Sequence, residues 1–345
     1  MNTLAVGTDG AFPGSPSPLL DLQNLTKRYR LGRDLRKSRQ RSVLAVDDVT
    51  LTISAGQSLA VVGESGSGKS TLGRMVLRQV RPSAGRVIFA GDDIFETGDR
   101  ARRRAMRRDI QAVFQDPLAA LDPRRTAGDS VAEPLNAFGV GDRASRRARV
   151  AQLFEQVGLN PSTVAARPLE LSGGQRQRVV IARAIALEPR LVVADEPVSS
   201  LDVSVQAQII GLLADLGQQA GISYLFISHD LAVVRYVAQQ VAVLYRGRLV
   251  ELGPTTEVLT SPHHPYTEEL CSASRAVANE RAGSDGPRPA PRGRRASAPG
   301  GPGPAPSGCP FRQRCPKAAA RCAVEVPELL PRSAGRSVAC HFGAK

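Results

Sequence analysis

The stretch Gly63-Glu-Ser-Gly-Ser-Gly-Lys-Ser70 restricts this chain more than any other feature, because few folds can hold a glycine turn between a buried strand and a helix. The apolar run SLAVV (58–62) leads straight into it, and a helix-compatible segment follows from Thr71. This is GxxxxGK[ST] in the strand–loop–helix setting that gives the motif its meaning. The glycines let backbone N–H groups turn toward phosphate oxygens, and the helix start adds the positive end of its dipole. Gly63, Glu64, Ser65, Gly66, Ser67, Gly68, Lys69, Ser70 and Thr71 are therefore the candidate phosphate-binding set. Lys69 is expected to neutralise phosphate charge and the Ser70 hydroxyl to ligate Mg²⁺.

Two further apolar runs end in chemistry-bearing residues. LVVADEP (191–197) places Asp195 and Glu196 where a buried strand stops, and LFISHD (225–230) places His229 at the end of the next. Asp195 suits the metal, while Glu196, one residue on, suits a general base that polarises an attacking water. His229 is positioned to contact a terminal phosphate. A second glycine turn, LSGGQRQR at 171–178, opens another helix about a hundred residues after the first. Its serine and glycines offer a hydroxyl and backbone donors, an anion site that the first loop has no need of.

The rest of the chain is bounded by charge and composition. The net charge is +14, and two runs carry most of it: eight basic residues against Asp34 at 27–41, and six with no acid at 100–108. Short basic runs usually form solvated surface, so no nucleic-acid partner is expected. No apolar run is long enough to span a bilayer. LLDLQNLTKRY and LAVDDVTLTI alternate as strands of an antiparallel layer, with the basic run between them read as an insert that separates them. Residues 129–158 read as helical.

The phosphate loop, Gln115 in VFQDP, LSGGQ, the DE strand end, SSLD (199–202) and His229, taken in order, resemble the ATP-binding subunit of ABC transporters. That resemblance implies an α/β fold: a P-loop NTPase, RecA-like core with an antiparallel β-subdomain, an α-helical signature subdomain and a small cysteine-containing C-terminal tail. It implies ATP with Mg²⁺ held through Ser70, Gln115 and Asp195, and catalysis by Glu196, His229 and Gln115. Tyr29 in LTKRY matches the aromatic that stacks on adenine, and Asp202 the residue that communicates across a dimer. In this family two such domains face each other head to tail. Leu171, Ser172, Gly173, Gly174 and Gln175 would then seal the ATP held by the neighbour's loop.

FQDPLAALDPR after Gln115 and SPHHPYTEELCSA (261–273) are similar to the peptide, opine and nickel uptake group, and ESGSGKSTLGR to the second of its two non-identical ATPases. The implied function is ATP hydrolysis that powers import of peptides, or of related solutes such as nickel complexes, at the cytoplasmic face of the membrane. The implied partners are a second, non-identical ATPase, two membrane permeases and, indirectly, an extracytoplasmic solute-binding protein. The alternatives are an ABC exporter ATPase and a soluble ABC-type ATPase acting on DNA or ribosomes. The HPYT segment argues against the first, and a single core without sustained heptads against the second. His263 and His264 read as packing or helix-start residues rather than metal ligands.

The chain is thus expected to divide into a disordered N-terminal tail (1–18), an ATPase domain (19–260), an HPY-type extension (261–281), a flexible Pro/Gly-rich linker (282–308) and a cysteine-containing tail (309–345). Cys309, Cys315, Cys322 and Cys340 cluster in that tail, while Cys271 lies apart. Four thiolates suit a [4Fe-4S] cluster, which the family tail resembles, and suit zinc nearly as well; free thiols or bridges are the remaining reading. Any such group is expected to sit remote from ATP.

Overall fold

The computed structural model describes residues 17–33, 40–281, 307–333 and 335–343. Nearly all of the expected N-terminal tail and of the Pro/Gly-rich linker, and the tip of the basic run at 34–39, lie outside those residues.

Alternating sequence builds one sheet and continuously apolar sequence builds the other. Strands β1 (Leu20–Arg33), β2 (Gln40–Ile53), β4 (Ala84–Phe89) and β5 (Asp92–Asp93) form an antiparallel sheet in the order β2-β1-β4-β5. The larger sheet takes β3 (Ser58–Val62), β6 (Ile110–Val113), β7 (Leu191–Asp195), β8 (Ser223–Ser228), β9 (Gln240–Tyr245), β10 (Arg248–Pro254), β11 (Leu330–Ser333) and β12 (Arg336–Val338). Their order is β11-β12-β10-β9-β3-β8-β7-β6. β6, β7, β8, β3 and β9 run parallel, and of these β7, β8, β3 and β9 are buried almost throughout, as parallel strands covered on both faces should be, while β6 at the sheet edge is partly buried. β10, β12 and β11 are antiparallel additions.

Side-chain alternation along β3 then splits the interior in two. Leu59 and Val61 face the antiparallel sheet, with helix α1 (Lys69–Val76) packing Leu72, Met75 and Val76 into the same layer. Ala60 and Val62 face the opposite layer of helices. α2 (Arg100–Asp109) and the short α3 (Pro117–Ala120) flank β6 in sequence. α4 (Ala127–Phe138) and α5 (Arg143–Gln156) account for the helical reading of 129–158 and pack on α6 (Gly173–Ile185). α7 (Val203–Ala220), α8 (Leu231–Val237), α9 (Thr255–Thr260) and α10 (Pro265–Arg281) follow, and α11 (Ala320–Val324) lies in the cysteine tail.

Two expectations change. The first two strands reach further into the basic run than expected: β1 extends to Arg33 and β2 starts at Gln40, with Arg30 paired to Ser42 and Arg33 to Gln40. The cysteine tail is not set apart: β12 pairs with β10, Glu251 opposite Val338, and extends the main sheet. The junction holds an ion pair sealed from water. Arg336 donates to Glu251 Oε1 from Nη2 at 2.5 Å and from Nε at 3.2 Å with side chains 4% and 0% exposed, and the His263 and His264 N–H groups also donate to the Glu251 carboxylate. Nη2 also reaches the Ser261 carbonyl.

Candidate nucleotide site

Parallel pairing brings the sequence-separated residues to one edge. Val62 pairs with Ser228, Asp195 with Ile227 and Val113 with Ala194, so the phosphate loop, Glu196, His229 and Gln115 all leave the sheet at the carboxyl ends of its strands. Gln115 is exposed two residues past β6.

The loop itself is tightly walled. Gly68 caps α1 at φ 109°, and a Cβ there would run into the Ala45 carbonyl of β2, so only glycine is compatible. Gly247, in the β9–β10 turn, donates its N–H to the Ser67 carbonyl at 2.8 Å. Buried Lys69 donates Nζ to the Gly63 carbonyl at 2.7 Å and the Glu64 carbonyl at 2.9 Å. An ammonium has three donors, so one remains for a phosphate oxygen. Burial lowers the Lys69 pKa, while the charges of Glu196, Asp195 and Glu64 work in the other direction.

Beside it, Ser70 Oγ donates to Asp195 Oδ1 at 3.3 Å. Burial raises the Asp195 pKa and the neighbouring Glu196 adds to that, against the Ser70 hydrogen bond and the charges of Arg74 and Lys69. A hydroxyl and a half-buried carboxylate next to a second carboxylate form a hard-oxygen donor set that a divalent cation would relieve of its mutual repulsion, and Mg²⁺ suits it. Glu196 adopts φ 47°, uncommon for a residue with a side chain, held by its N–H on the Ile227 carbonyl at 2.9 Å. Its carboxylate, 19% exposed, meets His229 Nδ1 at 3.1 Å. Strain of this kind concentrates where a side chain must be aimed.

The signature turn makes its contacts elsewhere. Ser172 caps α6 reciprocally with Gln175: the Gln175 N–H donates to Ser172 Oγ at 3.2 Å and the Ser172 N–H to Gln175 Oε1 at 2.9 Å. Leu171 is buried beneath it, and Ser172 is exposed. A Cβ on Gly174 would press into Val205 of α7, so this glycine also serves close helix packing. Asp202 precedes α7, exposed and with its side chain making no capping bond, and its neighbour Leu201 lies against Gly173 of the signature turn. Among the described residues no hydrogen bond joins 171–175 to the phosphate loop. Tyr29 pairs with Val43, two residues from the Ala45 that backs Gly68, and Lys27 Nζ lies 5.2 Å from its ring centroid.

Sequence reasoning missed two anchors. Tyr266, in the HPYT segment, accepts the Glu64 N–H at its hydroxyl, 2.8 Å away. Arg314, between two tail cysteines, grips the Glu64 carboxylate with both terminal nitrogens at 2.9 and 2.7 Å. The tail is therefore not remote from the loop, and no local signal in the sequence marks either contact. His264 is buried at the start of α10, where its Nδ1 accepts the Tyr266 N–H at 3.0 Å; burial depresses its pKa to about 4, so it is neutral and structural. All five cysteines are free. Burial raises the Cys309 and Cys315 thiol pKa values, and the nearby Cys322 and Cys340 add to both. The four tail thiols thus lie near one another, but among the described residues no group of three or more His, Cys, Asp or Glu is arranged to hold a metal ion.

Comparison with known proteins agrees with this geometry. Residues 46–199 match the ABC transporter family, and residues 250–322 match the oligopeptide/dipeptide transporter C-terminal region. The chain is 48% identical to a probable peptide ABC transporter ATP-binding protein of Sinorhizobium fredii, covering 94% of this chain and 90% of that one. It is 41% identical to the oligopeptide transport ATP-binding protein AppF of Bacillus subtilis, over 94% and 97%. A solved dimeric post-hydrolysis structure of the ATP-binding cassette MJ0796, bound to ADP and Pi, aligns with a TM-score of 0.61 at 30% identity, covering 68% of this chain and 98% of that one. Motif order, strand-end geometry and overall likeness converge: this chain belongs to the ATP-binding subunits of ABC transporters, ATPases of the P-loop fold, and carries the oligopeptide/dipeptide transporter C-terminal region.

Proposed function

We propose that this ATPase energises peptide import, as a peripheral subunit on the cytoplasmic side of membrane permeases, working with a second, non-identical ATPase and an extracytoplasmic binding protein. Support comes from the C-terminal region matched at 250–322 and from relatives named for peptide and di/tripeptide transport. Among the described residues no helix is long and apolar enough to cross a membrane, which suits a subunit that docks on others.

The observation that supports a divided pocket is that the loop, Ser70, Asp195, Glu196 and His229 share one sheet edge, while Ser172 of the signature turn is exposed and, among the described residues, no hydrogen bond joins 171–175 to the loop. In this reading Lys69 and the loop N–H groups hold the β- and γ-phosphates, and Tyr29 stacks on adenine. Ser70, Asp195 and Gln115 would hold Mg²⁺, which when bound would supply charge neutralisation at the phosphates. Glu196 takes a proton from the attacking water, His229 steadies that carboxylate through Nδ1, and Gln115 links the metal site to the helical layer. Ser172, Gly173 and Gly174 donate to the ATP of the facing subunit, with Asp202 at the same seam.

A strain lacking this subunit should fail to grow on peptides as sole nitrogen source. The parent gene should restore growth and Ser172→Arg should not, although the variant still binds ATP. Growth restored by Ser172→Arg would remove the signature from the mechanism, and undisturbed growth of the deletion strain would remove peptide import.

For the tail, support for a [4Fe-4S] cluster or zinc is limited to four free thiols brought near one another; no group of three or more ligands among the described residues is arranged to hold a metal ion, so either group would require the thiols to rearrange. Anaerobically purified protein should contain iron with absorbance near 400 nm (an order-of-magnitude position), or zinc without it. Protein free of both would leave the thiols as a packing element.

A further inference from the structure

Glu64 is an awkward residue to find in a phosphate loop, because its carboxylate adds negative charge beside the ammonium that must attract a triphosphate. Lys69 already feels that charge. Every polar group of Glu64 is nevertheless taken up: its N–H by the Tyr266 hydroxyl at 2.8 Å, its carbonyl by Lys69 Nζ at 2.9 Å, and its carboxylate by the two terminal nitrogens of Arg314 at 2.9 and 2.7 Å. Two of these three partners come from the C-terminal region rather than from the ATPase motifs.

Arg314 is itself held from several sides. Its guanidinium lies 5.5 Å from the Phe311 ring centroid and 5.9 Å from those of Tyr245 and Tyr266, within reach of cation–π attraction. Phe311 is buried among the same rings, 5.3 Å from Tyr245 and 5.6 Å from Tyr266. Nη2 also donates to Glu269 of α10 at 2.6 Å, so removing the arginine would leave two carboxylates facing the gap. A planar two-point grip on a carboxylate fixes its direction as well as its charge.

We propose that Arg314 is a positioning residue of the nucleotide site: by fixing and neutralising Glu64 it raises the phosphate loop's affinity for ATP, making the cysteine tail part of the ATP site of its own chain. This rests on the reading that residues 63–71 hold ATP. Without Arg314, Glu64 competes with the incoming phosphates for Lys69 and repels them. The effect grows with nucleotide charge, so ATP depends on it more than ADP.

The test uses the full-length chain with ATP or ADP and MgCl₂, measured by calorimetry. The Arg314 and Glu64 side chains are 32% and 43% exposed, so solvent limits the gain, and Arg314→Ala should weaken ATP binding about fivefold and ADP binding less. In a Glu64→Gln background the same arginine substitution should change ATP affinity by less than about twofold, since the charge it offsets is gone. Arg314→Ala binding ATP as the parent does would overturn the proposal. So would an equal loss in the Glu64→Gln background, which would assign the effect to tail packing alone. Lys69→Ala tests the underlying reading separately: retained ATP affinity there would discredit the loop assignment, whatever Arg314 does.

Discussion

Glu196→Gln should leave ATP bound and lower turnover by about 10²- to 10⁴-fold, the usual loss when a general base is removed. Glutamine keeps the shape of the side chain and an oxygen that can face His229, but it cannot take up a proton. The backbone that aims the side chain is set by the φ of 47° and by the Ile227 carbonyl, neither of which the substitution touches. Binding and chemistry should therefore separate: phosphate release falls while nucleotide retention persists. Turnover within a factor of two of the parent would take Glu196 out of the catalytic role and leave Asp195 or a bulk-water mechanism to explain hydrolysis.

A second large effect is expected far from the chemistry. Arg336→Met should destabilise the chain by about 3–5 kcal/mol, because it strands the Glu251 carboxylate in a place that water does not reach. Glu251 would keep the His263 and His264 N–H donors, which partly satisfy it but carry no full positive charge. Adding Glu251→Gln should recover part of the loss by removing the charge while keeping an acceptor for those donors. Denaturant unfolding, read as a shift in midpoint at constant slope, measures both. An Arg336→Met midpoint equal to the parent's would mean that the C-terminal strands contribute nothing to the core. Loss of this pair should also loosen the β12–β10 join that carries the tail, which connects a stability effect to the Arg314 contact on the phosphate loop.

The sequence was most informative where function is written in consecutive residues. SLAVV followed by GESGSGKS can be read as strand, loop and helix because burial on both faces, glycine conformational freedom and the lysine–hydroxyl pair are all local properties. LVVADEP and LFISHD were equally open to reading, since a carboxylate or imidazole placed just past an apolar run must emerge at a strand end. The hairpin was harder to read. Its alternating pattern showed two strands, but the charge of the basic run made it look like an interruption, whereas the exposed side chains of Arg28 and Arg30 let β1 carry that charge at little cost.

The cysteine tail was read least well, for a physical reason. Short, polar and placed after a Pro/Gly-rich stretch, it has no periodicity that says what it will pack against. Its attachment depends on three partners in the core: β10 for β12, Glu251 for Arg336 and the aromatic group of Tyr245 and Tyr266 for Phe311. None of these adjoins the tail in sequence.

By itself, then, the sequence determined the family, the P-loop fold and which chemistry-bearing residues stand at strand ends, because each is encoded within a run of about ten residues whose backbone geometry follows from burial and glycine content. Only the tertiary structure decided that His229 meets Glu196, that Gly174 lets α6 press on α7, and that the tail grips the phosphate loop. Arg314 and Glu64 are 250 positions apart, and a guanidinium carries no local sign of which carboxylate it will find. That choice is made when the sheet closes, by packing and by the cost of leaving a charge unpaired.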